Sequence, residues 1–155
     1  MATMTLKEQL KDDLTTAMKA RDDVRLATVR MALTAITNEE VAGKQARELS
    51  DDDVLKVLAR ELKKRKEAAT AFADAGKQER ADEEMAEAAV LEGYLPSQLS
   101  DKELAQLVAS AIAEAGAIGP QAIGAVMKSV QPKVAGRADG GRVAGEVKRQ
   151  LSSAS

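Results

Sequence analysis

The chain has 155 residues, room for one domain or two small ones, and a formal net charge of −2, which argues against a dedicated nucleic-acid protein. It contains no Cys and no His, which excludes a disulfide framework, thiolate zinc sites, a thiol nucleophile and every catalytic triad built on imidazole. Phe72 and Tyr94 are the only aromatic residues, so the core must come from Leu, Val, Ile, Met and Ala, as in a helix bundle.

Thr5 opens the first predicted helix, with Glu8 in capping-box spacing, and Leu6, Leu10, Leu14 and Met18 then recur every four residues. "ARDDVR" at 20–25 breaks the pattern and begins a second helix with Leu26, Val29, Leu33 and Ile36 on one face, ending near Gly43. "LSDDDV" at 49–54 is a strong start signal. Ser50 caps, Asp51, Asp52 and Asp53 face the helix dipole, and Leu49 and Val54 have staple spacing. The third helix carries Leu55, Leu58 and Leu62, then Arg65, then Ala69 and Phe72, and stops at Gly76. A fourth, over about 78–93, places Met85, Ala88, Ala89 and Leu91 beside Glu83, Glu84, Glu87 and Glu92.

"GYLPSQLSDKEL" at 93–104 is the boundary, and "LSDKEL" repeats the start signal of "LSDDDV". A fifth helix turns Leu104, Leu107, Val108, Ala111 and Ile112 inward and stops at Gly116. A sixth begins near Pro120 and buries Ile123, Val126, Met127 and Val130 before Pro132. The last starts near Asp139, with Val143, Val147 and Leu151 on one face. No segment alternates as a strand does. The expected fold is all-α: an antiparallel bundle of about four helices over residues 1–95 and a smaller three-helix domain over 96–155. No signal peptide and no apolar run near the ~20 residues of a membrane span is visible, and the lack of Cys agrees with a cytoplasmic protein.

Charge is distributed unevenly. Residues 128–149 carry six basic groups against two acidic ones, a local positive patch on an acidic chain. Within it, "KVAGRADGGRVAGEVKRQL" reads either as a helix stop, turn and restart or as an anion-holding loop. Gly136, Gly140 and Gly141 permit positive φ, Asp139 can cap the last helix, and Lys128, Lys133, Arg137, Arg142, Lys148 and Arg149 are the candidate phosphate contacts. With no aromatic platform for stacking, structured RNA fits better than a single strand. Elsewhere, Lys63, Lys64 and Lys66 read as a solvated face, and Arg65 reads as an ion pair with Glu84 or Glu87. Asp51–Asp53 point about 100° apart and do not converge on a metal. No catalytic residue, metal site or cofactor is indicated.

The motifs "RLATVRMALTAITNEEV", "LARELKKRKEAATAFADAGK", "EMAEAAVLEGYLPSQLSDKEL" and "IGAVMKSVQPKVAGRADGGRVAGEVKRQL" occur in that order. Together they resemble the GatB/YqeY family in its stand-alone YqeY-like form, over nearly the whole chain. The resemblance implies an all-helical protein related to the tail of the GatB subunit of tRNA-dependent amidotransferase, which helps hold tRNA. The ATP-handling and glutamine-hydrolysing parts of that enzyme lie elsewhere, so family usage attaches the label of a carbon–nitrogen ligase with glutamine as amido-N-donor to a chain that resembles only the tail. By the same resemblance, Gly124, Met127, Lys128, Gly136, Arg137, Asp139 and Gly140 fall in the tRNA-facing motif. Arg30, Arg65, Glu87, Tyr94 and Pro96 fall in motifs with structural roles, Tyr94 and Pro96 at the hinge between the two parts. The leading expectation is a cytoplasmic tRNA-binding accessory protein. The alternatives are a helical protein-interaction module without RNA contact, partnered by amidotransferase subunits or an aminoacyl-tRNA synthetase, and an independent amidotransferase-type enzyme.

Overall fold

The computed structural model describes residues 4–153. All regular structure in them is helical, and the chain divides into two compact units, Met1–Pro96 and Ser97–Ser155. The first holds α1 (Leu6–Ala20), α2 (Asp23–Glu40), α3 (Asp51–Asp74) and α4 (Gln78–Glu92). The second holds α5 (Asp101–Ala115), a short 3-10 turn (Pro120–Ala122), α6 (Ile123–Val134) and α7 (Gly140–Ser153).

Local chemistry sets the helix starts. Ser50 and Ser100 accept the N–H groups of Asp53 and Glu103, and Glu103 returns a bond to the Ser100 N–H, completing the capping box. The staples also form, with Leu49, Val54, Leu99 and Leu104 all buried. Thr5 takes the Glu8 N–H, whereas the Leu6 N–H goes to Asp51 of α3 at 2.9 Å. Asp51 therefore caps a neighbouring helix besides lying in the first turn of its own. Asp53 pairs with Arg47 at 3.5 Å.

In the first unit, α1 and α2 form one antiparallel hairpin, with Lys7 of α1 bonded to Glu40 at the far end of α2. The paired α3 and α4 form a second, in which Arg65 meets Glu84 and Glu87, and Arg80 sits over the Phe72 ring. α2 packs on both α3 and α4. Leu10, Val29, Ile36, Val54, Leu58 and Leu91 lie at the centre of the shared core. Three residues expected on the inward faces are exposed instead: Met18 at 54%, Met85 at 49%, and Ala89. Four-residue steps on a helix advance 400°, so the face of Leu6, Leu10, Leu14 and Met18 drifts about 40° per step. By the end of α1, Ala17 has taken the buried place.

In the second unit the three helices all touch one another around Val108, Val126, Val130, Val143, Val147 and Leu151. Leu107, Ile112, Ile123 and Met127 pack against this cluster from its edge. Pro132 does not end α6, which runs to Val134. The proline sits in the last turn, close enough to the end that little helix follows its missing N–H. No single helix among the described residues is long and apolar enough to cross a membrane. The pair Asp101–Ala115 and Pro120–Val134 qualifies only jointly and is bent by 97°.

Candidate nucleic-acid interface

The turn between α6 and α7 is stitched to the segment that leads into α5. Gly136 adopts φ +72°, a left-handed conformation that glycine enters without a Cβ penalty. This turns the chain so that the Arg137 carbonyl receives the Leu99 N–H at 2.8 Å and the Gly136 carbonyl receives Gln98 Nε2 at 2.8 Å. In return, Arg137 Nε donates to the Ser97 carbonyl at 3.0 Å, and Arg142 Nη2 donates to the Leu99 carbonyl at 3.1 Å and to Asp101 Oδ1 at 2.9 Å. The motif thus supplies backbone acceptors and two guanidinium donors to residues 97–101. Both partner segments lie about 40 residues away in the chain, so no local pattern announces these contacts.

Gly140 and Gly141 do not use positive φ. They form the first turn of α7, where the Gly141 N–H donates to Asp139 Oδ1 at 3.2 Å. A Cβ at Gly140 or at Gly124, which is exposed on α6, would meet nothing within 4 Å. The carboxylate of Asp139 therefore already serves the α7 N-terminus, where an external anion was expected.

The six candidate basic residues fall into separate places. Lys128 and Lys133 lie exposed on α6, Lys133 within 3.5 Å of Glu114, while Lys128 makes no ion pair among the described residues. Arg137 is committed to the turn. Arg142 and Arg149 are two helical turns apart on α7 and line one open groove with Lys102 of α5. Its volume is 530 Å³, and Asp101 and Glu146 complete its polar lining. Lys148 is exposed on α7 and makes no ion pair among the described residues. Lys102 was not among the expected residues, because a lone lysine in "LSDKEL" carries no signal until α5 is packed against α7.

Electrostatics in the groove are balanced locally. Arg149 binds both oxygens of Glu146, and Gln150 donates to the same carboxylate at 3.0 Å and to the Ala105 carbonyl at 2.9 Å. The Arg149 and Gln150 hydrogen bonds hold the Glu146 carboxyl below the usual carboxylate range, and the hydrogen bond to Glu146 in turn raises Arg149. Glu103 is also lowered, first by the Ser100 N–H of its capping box.

The residues expected to be structural belong to the first unit. Arg65 is 22% exposed and lies 3.2 Å from Glu84 and 3.5 Å from Glu87, so it pairs with both expected partners. The Tyr94 hydroxyl donates to Asp13 of α1, and burial followed by this bond pushes the phenol well above its usual range. Arg30 is exposed on α2 without an ion pair among the described residues, and Pro96 is exposed. Lys66 pairs with Glu92 at 3.0 Å and Lys64 with Glu61 at 3.5 Å. Among the described residues no group of three acidic side chains is placed to hold a metal.

No curated protein matches the chain. The family model described as Yqey-like protein matches residues 7–151, a stretch that reaches into both units and includes the turn and groove residues described above. The chain belongs to the YqeY-like family.

Proposed function

We propose that the C-terminal unit binds tRNA through its phosphate backbone, and that the protein is a cytoplasmic accessory factor similar in this respect to the tail of tRNA-dependent amidotransferase. The observation that carries the reading is the groove along α5 and α7, where Lys102, Arg142 and Arg149 from two helices face one open channel. Lys148 on α7 and Lys128 on α6 add exposed cations without an ion-pair partner among the described residues. Cations spaced along a helix suit phosphates and carry no base readout, and the absence of exposed aromatic side chains in this unit agrees with contact by shape and charge. No catalytic step is assigned.

The test is binding of purified bulk tRNA across a salt series. Arg137 and Arg142 are unsuitable for removal, because their loss unstitches residues 97–101 and mixes folding with binding. Lys128, Lys148 and Arg149 are replaced by alanine instead. Log K for the wild type is expected to fall linearly with log salt, and the triple variant to bind more weakly with a slope shallower by about 2–3. A wild type that fails to bind near physiological salt overturns the reading in favour of a protein partner.

A further inference from the structure

The two arginines of the α5–α7 groove are each bound to a carboxylate in the same groove. Arg142 holds Asp101, and Arg149 holds Glu146. The two carboxylates are held differently. The Asp101 side chain is fully exposed, and its partner Arg142 is 37% exposed. The Glu146 side chain is only 15% exposed and is bound by Gln150 as well as Arg149. An exposed single-contact pair is weak, and a phosphate offers more charge and more acceptor oxygens to the same guanidinium. Arg142 does not depend on Asp101 for its position, because its Nη2 also donates to the Leu99 carbonyl.

We infer that this groove is a self-neutralised phosphate site in which Asp101 acts as a displaceable internal anion on Arg142, with Glu146 a tighter one on Arg149, so that only a ligand presenting several phosphates at once exchanges for them. This rests on the RNA-binding reading above and adds a selectivity device to it. A single phosphate or a free nucleotide must compete with a tethered carboxylate for little gain. A structured RNA brings adjacent phosphates to Lys102, Arg142 and Arg149 together and exchanges for the carboxylates in one event. The Asp101 carboxylate then turns to water, where it already lies.

Asp101→Asn and Glu146→Gln test this on the full chain with bulk tRNA as probe, and Asp52→Asn on α3 supplies the same change of charge away from the groove. Asp101→Asn is expected to tighten binding about three- to five-fold at fixed salt and to steepen the log–log slope by about one, because one more cation is available to phosphate. Glu146→Gln is expected to act in the same direction, and Asp52→Asn to leave the slope unchanged. The internal-anion idea is overturned if the wild type binds and both groove variants match it, or if Asp52→Asn tightens binding as much; the RNA reading then stands. If neither the wild type nor the two groove variants bind tRNA, the RNA reading itself fails and this inference fails with it.

Discussion

Arg21 closes α1 with φ 56°, a left-handed conformation that the Cβ of an L-residue disfavours. The geometry is that of a helix C-cap in which the Arg21 N–H donates to Met18 and Ala17 carbonyls and the Asp22 N–H donates to Ala17 at 3.0 Å. Gly116 does the same for α5 at φ 60° without that penalty. Arg21→Gly is therefore expected to stabilise the protein by about 0.5–1 kcal/mol, once relief of the Cβ strain is set against glycine's larger unfolded-state entropy. The check is the urea midpoint, which should rise with an unchanged m-value. A lower midpoint would show that the Arg21 side chain makes a contact worth more than the strain.

Within α3 and α4, charge follows the packing seam. Arg65 interrupts an apolar stripe and faces Glu84 and Glu87 across it, and Arg65 Nε and Glu84 Oε2 are buried without hydrogen bonds of good geometry. Arg65→Ala would leave two carboxylates facing each other at a partly dry seam. A cost of about 1–3 kcal/mol is expected, less than for a fully buried pair because the cluster still touches water. Arg65→Met, which keeps the packing of the stem, should cost less than Arg65→Ala in the same denaturation experiment. A loss of stability too small to measure in both would mean the pair is solvated. This pairing was legible from the sequence because an arginine on an apolar stripe requires a carboxylate, and α4 supplies them. The caps at Ser50 and Ser100 were legible for a related reason, since all their atoms lie within four residues. What stayed hidden depends on tertiary placement. Asp51 capping α1 and Arg137 holding Ser97 join residues 45 and 40 positions apart, and no local pattern encodes such partners. The role of the glycines was half legible: "GRADGG" announced a turn, but only Gly136 uses the freedom that glycine confers.

At the scale of the whole chain, each unit carries its own buried aliphatic cluster. Leu151 is fully buried in the second, and Leu151→Ala is expected to cost about 2–5 kcal/mol there. Amide hydrogen exchange should then show protection falling across residues 97–153 and unchanged across 4–96. A uniform loss over both stretches would mean the chain unfolds as one cooperative body. The all-helical fold class was legible throughout, because the apolar residues recur at three- and four-residue spacing, no segment alternates as a strand does, and the composition leaves no aromatic core. The bond between Tyr94 and Asp13 has an optical consequence as well. The chain has one tyrosine and no tryptophan, so its ultraviolet emission comes from a single phenol in the first unit, whose hydroxyl donates a hydrogen bond to a carboxylate. A carboxylate in that position quenches the excited phenol. Loosening of α1 from the end of α4 should therefore brighten the protein, giving a label-free signal for one unit that is blind to the other.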